Sequence, residues 1–91
     1  MDASTVQQIL DSAARAASSD DYASAESLLR EAARLQETTL GSEHPDLAST
    51  FNNLAIVCER ANNLLDAGKF YRQALWIASA SLDADDPLGP H

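Results

Sequence analysis

Hydrophobic positions recur at helical spacing in four separate stretches of the chain, each closed by polar or helix-terminating residues. In the first, Val6, Ile9, Leu10, Ala13, Ala16 and Ala17 share one face. Ser4 and Gln7 there have the form of a capping box, and the pattern stops near Ser18-Ser19-Asp20. A second helix is predicted from about Asp21, with Tyr22, Ala25, Leu28, Leu29, Ala32 and Leu35 inward and Glu26 and Arg30 one turn apart outside. It ends by Gly41, a residue that accepts positive φ. Ser42-Glu43-His44-Pro45-Asp46 reads as the next helix start: proline loses no hydrogen bond at a first helical position, and Asp46 faces the positive end of the dipole. The third helix runs to about Ala61 with Leu47, Phe51, Leu54, Ala55 and Cys58 inward, and Asn62-Asn63 interrupts it. The fourth is predicted to bury Leu64, Ala67, Phe70, Tyr71, Ala74, Leu75 and Ala78 and to fade over Ser79–Leu82.

The two halves repeat. At an offset of 42 residues Ala13 pairs with Ala55, Ala25 with Ala67, Arg30 with Arg72, Ala32 with Ala74, Leu40 with Leu82 and Pro45 with Pro87. The breaks Asp20-Asp21 and Asn62-Asn63 fall in the same register. The repeating unit is therefore a helical hairpin used twice. Composition agrees: Ala and Leu supply 29 of 91 residues and Val, Ile and Thr few, which favours helices over a sheet. At 91 residues there is chain for one domain and no second core. The predicted fold class is all-α, four main helices in two stacked antiparallel hairpins. Repeat one spans about residues 5–40 and repeat two about 45–82, with 83–91 either the start of a truncated further repeat or a tail. Repeats of this kind hide apolar faces against their neighbours. Two hairpins without a clear cap imply a fragment of a longer chain, or a small protein that covers its flank by self-association.

Leu40-Gly41-Ser42-Glu43-His44-Pro45-Asp46-Leu47-Ala48, then Asn52-Asn53-Leu54-Ala55, Ala67 and Tyr71-Arg72-Gln73-Ala74-Leu75 together resemble a tetratricopeptide repeat. More narrowly they resemble the 42-residue repeat of kinesin light chains, with its long loop ending in His-Pro-Asp. It is specific over residues 40–78 and thinner over 9–39, and Asn62 and Asp20 stand where the family usually has glycine. The resemblance implies a right-handed superhelix, a concave groove lined by the first helix of each hairpin, and a scaffold role without catalysis. Carried over position by position, it implies groove residues Ser49, Asn52, Ile56, Glu59 and Arg60 from the third helix. From the first helix it implies Gln7, Leu10, Ala14, Ala17 and Ser18. Asn52 would hydrogen-bond an extended peptide backbone, its amide offering both donor and acceptor. Asn53, about 100° further round the helix, would contact the neighbouring helix.

Charge narrows the partner class. The net charge is −8, divided −5 over residues 1–45 and −3 over 46–91, so there is no basic surface for nucleic acid or for anionic lipid. No segment has the length or apolarity to cross a membrane. Glu59 and the acidic balance predict a preference for basic peptide or protein ligands. Leu65 and Trp76, one step off the expected buried stripe of the fourth helix, mark a docking face through which two copies would form a homodimer.

Candidate chemistry is thin. His44 sits at a loop-to-helix junction, His91 is terminal and Cys58 lies on a buried stripe, with no spacing that suits a metal. The acid pairs Asp20-Asp21 and Asp85-Asp86 lack the alternating ligands and central glycine of a calcium loop. Gly41, Gly68 and Gly89 are too scattered for a phosphate loop. The sequence thus predicts no enzyme, cofactor or metal site. A lone cysteine and a non-basic N-terminus point to a cytoplasmic setting.

Overall fold

The computed structural model describes residues 3–85 as four helices in sequence: α1 (Ala3–Ser18), α2 (Tyr22–Leu40), α3 (Pro45–Arg60) and α4 (Leu64–Asp85). Each helix packs on the next, α1 on α2, α2 on α3 and α3 on α4. The result is two antiparallel hairpins laid side by side in a slab of 46 × 31 × 17 Å. No strand occurs among the described residues.

Both hairpin turns are built alike, for a backbone reason. Asp20 and Asn62 adopt left-handed φ of 62° and 67°. In each case the following residue donates its N–H five residues back, Asp21 to the Ala16 carbonyl at 2.8 Å and Asn63 to the Cys58 carbonyl at 2.7 Å. The left-handed residue itself donates three back, to Ala17 and Glu59 respectively. This pair of bonds is the Schellman closure of a helix end, and it recurs 42 residues apart.

Starts are fixed by side chains. Asp21 caps α2 by accepting from the Ser24 N–H, and the His44 Nδ1 accepts from the Asp46 N–H at 3.0 Å with Pro45 behind it. The expected Ser4–Gln7 capping box is not the start of α1. The helix already includes Ser4, and the Gln7 amide instead donates to the Asp11 carboxylate at 3.0 Å, one turn on. Gly41 closes α2 at φ 98°, where an L side chain would be strained. At the other end α4 continues through the predicted fading region as far as Asp85. Residues 86–91, with the second half of the Asp85-Asp86 pair, Pro87, Gly89 and His91, lie outside the described residues.

The core is small residues surrounding a few large ones. Ala25, Leu54, Ala55 and Cys58 are fully buried, joined by Leu47, Ala67, Phe70 and Ile77. Alanine at these positions lets helix axes approach closely, and Phe51 and Phe70 stack across α3 and α4 with centroids 5.9 Å apart. Arg30 ties the second helices of the two hairpins together. Its guanidinium pairs with Glu26 at 2.7 Å, reaches Asp66 at 3.7 Å and lies 4.9 Å over the Phe70 ring.

The buried stripe of α4 differs from the predicted one. Ala67, Phe70, Ala74 and Ile77 face inward, whereas Leu64, Tyr71 and Leu75 are 62%, 37% and 67% exposed, and Ala78 is also exposed. The helix is apolar on two adjacent faces, so periodicity alone could not choose between them. In α2 both faces are covered. There the positions 42 residues earlier, Leu29, Ala33 and Gln36, are buried against α3.

Gly68 sits in the interior of α4 with ordinary helical φ. A Cβ there would meet the Arg72 guanidinium at 3.6 Å, an ordinary contact. Gly68→Ala is therefore expected to stabilise the chain by about 0.5–1 kcal/mol, as glycine is that much worse than alanine inside a helix. Thermal unfolding followed by circular dichroism checks this, with an upward midpoint shift as the expected result.

Candidate ligand groove between the first helices of the hairpins

α1 and α3 do not pack on each other. They flank a groove of about 820 Å³ whose base is formed by α2. The α1 wall carries Gln7, Leu10, Asp11, Ala14, Ala17 and Ser18, and the α3 wall carries Asp46, Ser49, Asn53, Ile56 and Arg60. Ser49, Asn53, Ile56 and Arg60 are spaced i, i+4, i+7 and i+11, which places them along one line of the helix. Of the residues expected from sequence, Gln7, Leu10, Ser49, Ile56 and Arg60 line this groove, and so do Ala14, Ala17 and Ser18.

Asn52 and Glu59 do not line it. Both are exposed on the opposite flank of α3, where the Glu59 carboxylate accepts a hydrogen bond from the Tyr71 hydroxyl of α4 at 3.1 Å. Asn53, expected to contact the neighbouring helix, lines the groove instead. The reason is geometric. A gap between two parallel helices sees the right flank of one and the left flank of the other, so equivalent positions cannot all face it. Leu10 faces the gap, while Asn52, its counterpart 42 residues later, is turned toward the far side of α3. Weighing which flank of α3 faces α1 would have found Asn53 from the sequence.

The groove is amphipathic. Leu10, Ala14 and Ile56 give it apolar walls, and the side chains of Ser49, Asn53 and Arg60 make no hydrogen bond or ion pair among the described residues. Beneath them the Thr50 hydroxyl donates to Gln36 Oε1 at 2.6 Å, both groups being buried. Among the described residues, no buried side-chain polar atom lacks a partner. The base of the groove is thus chemically closed, whereas its rim has unused donors and acceptors. Asp46 and Arg60 stand 14 residues apart on α3, about 21 Å by helical rise, with the carboxylate at one end and the guanidinium at the other. Asp11 adds a second carboxylate on the α1 wall.

The tetratricopeptide-repeat family model matches residues 8–80, spanning most of α1 through α4. The chain belongs to the tetratricopeptide-repeat family. No curated protein matches the chain. Tetratricopeptide repeats mediate protein–protein interaction. No described helix is long and apolar enough to cross a membrane, and the described residues hold no cluster of three His, Cys, Asp or Glu that could bind a metal ion.

Cys58 lies at the seam of the two tetratricopeptide hairpins. Burial pushes its thiol above the ordinary value of 9.0, reinforced by the Glu26 and Asp66 carboxylates and opposed by Arg30. The folded chain therefore favours the protonated thiol more than the unfolded chain does. That contribution to stability is complete below pH 9 and is lost as pH rises through the higher folded-state value. Urea unfolding is expected to show stability falling above pH 9 more steeply than in Cys58→Ala.

Proposed function

We propose that this protein is a non-catalytic interaction module that holds an extended peptide segment of another protein in the α1–α3 groove. The observation that carries the reading is the row of unpartnered polar groups, Ser49, Asn53 and Arg60, set above the apolar walls of Leu10, Ala14 and Ile56. Peptide units need paired donors and acceptors, which the Asn53 amide supplies, and alternate side chains need apolar contact. A basic residue of the ligand would sit toward Asp11 and Asp46, and a carboxylate toward Arg60. The net charge of −8 favours encounter with basic partners. Such a partner would be met in the cytoplasm, where a free thiol such as Cys58 stays reduced.

The experiment is a titration of heptapeptides carrying Lys at one end, Glu at one end, or both, read by amide chemical shifts. Peptides with an N- or C-terminal Lys are expected to bind more tightly than their Glu counterparts, and Ile56→Arg to abolish the binding. Equal affinity for Lys and Glu peptides rejects the charge preference, and full affinity in Ile56→Arg rejects the groove.

A second reading is favoured by the open stripe of α4. Leu64, Tyr71 and Leu75 present an apolar face in the register that α2 uses to bury itself against α3. Head-to-tail stacking of copies is disfavoured. The inner flank of α3 has Thr50, Leu54 and Val57, but the equivalents in α1 are Gln8, Ser12 and Arg15. Self-association would therefore pair two α4 faces about a two-fold axis. Leu65 and Trp76, 80% and 58% exposed, lie about 100–120° round the helix from Leu64, so they flank this stripe rather than form it. Sedimentation velocity at tens of micromolar separates the readings: a dimer that Leu75→Glu dissociates supports this one, and a wild-type monomer rejects it.

A further inference from the structure

A second recess adjoins the open stripe of α4, on a different face from the α1–α3 groove. It is a cleft of about 510 Å³ between the C-terminal part of α2, the α2–α3 turn and α4. That volume falls within the ~300–1,000 Å³ usual for ligand pockets. Leu47, Phe51 and Ile77 form its floor, and Lys69, Arg72 and Trp76 form its α4 wall. The three wall residues are spaced i, i+3 and i+7 and project from one side of the helix.

Its charge is opposite to that of the chain. Arg30 is held by Glu26 and Asp66 and Arg34 by Glu31, but Lys69 and Arg72 have no ion-pair partner among the described residues. Lys69 is the chain's single lysine. Lys69 and Arg72, three residues apart on α4, thus bring two unpaired cations to the lining of one cleft. Glu37 stands on the α2 rim, which leaves the cleft at a net +1 and directs any ligand carboxylates to the α4 wall. Trp76, with 58% of its surface exposed, occupies the position where α2 carries Arg34. An unpaired basic pair, a wet tryptophan and an apolar floor are complementary to a carboxylate-bearing chain that also brings an apolar side chain.

We propose that this cleft binds a short acidic peptide segment of a partner protein, its carboxylates on Lys69 and Arg72 and an apolar side chain between Trp76 and Phe51. The site is on a different face from the groove and does not depend on it. Trp76 is the only tryptophan in the chain, so its emission reports on the cleft without a label.

The test is a fluorescence titration with a heptapeptide of Asp and Glu around a central Leu, beside its all-Lys counterpart. The expected result is a saturable change in Trp76 emission with the acidic peptide alone. Binding should weaken about tenfold or more in Lys69→Glu/Arg72→Glu, to a lesser degree in Lys69→Ala, and stay unchanged in Ile56→Arg. Lys69 and Arg72 are exposed and Ile56 is half-buried, so circular dichroism of each variant is run beside the titration to check that it folds. No saturable change, equal response to the Lys peptide, or full affinity in the double variant overturns the proposal. So does an emission change that follows protein concentration without peptide, which identifies a second copy as the occupant, or tighter binding to an oligonucleotide or to anionic vesicles than to the peptide.

Discussion

Leu54→Ala is expected to cost about 2–5 kcal/mol of folding stability, the range for deleting a fully buried leucine side chain where the neighbours cannot close the gap. Leu54 has no exposed surface and stands on α3, the helix that packs against both α2 and α4. Single domains have about 5–15 kcal/mol in total, so this loss is a large share of the stability. Leu75→Ala is the matched control. It removes the same atoms from a side chain that is 67% exposed, and its expected effect is within about 0.5 kcal/mol. Urea titrations of the two variants by circular dichroism read the contrast directly. Comparable losses in both would mean that the Leu75 face is covered in solution.

Thr50→Val is the second large effect. Valine keeps the shape of threonine but leaves Gln36 Oε1 buried without the donor that reaches it at 2.6 Å. An unsatisfied buried acceptor costs about 1–3 kcal/mol, whereas replacing both partners by apolar groups of similar shape is close to neutral. Thr50→Val is therefore expected to lower the urea midpoint substantially, and adding Gln36→Leu to restore most of it. The double-mutant cycle isolates the coupling across the α2–α3 junction, which is the contact that holds one hairpin to the other. Additive losses would show that the pair does not act as a unit.

Much of this architecture was legible in the residues. Four helices follow from apolar spacing, and the two left-handed turns follow from the matched positions of Asp20 and Asn62. The Pro45 helix start was readable in the same way, although its cap is the His44 ring. The inward face of α4 was not legible. Its two apolar faces look alike in sequence, and only the fact that α3 covers one of them while the other is left open decides between them. Gln36 and Thr50 escaped for a related reason: as polar residues they look like surface, and they are buried because each satisfies the other. Of the residues that the repeat register assigns, Gln7, Leu10, Ser49, Ile56 and Arg60 line the α1–α3 gap. Asn52 and Glu59 lie outside that gap, because register assigns a face and the gap samples a flank.

The central claim is that a peptide seats between α1 and α3. Panning a random heptapeptide display library against the chain, then mapping the selected peptide by amide chemical-shift changes in the labelled protein, tests this most directly. The account predicts enrichment of a peptide family whose shifts cluster at Leu10, Ala14, Asn53 and Ile56 and vanish in Ile56→Arg. Selected peptides that leave those four amides unmoved, or a library from which nothing is enriched, would contradict it.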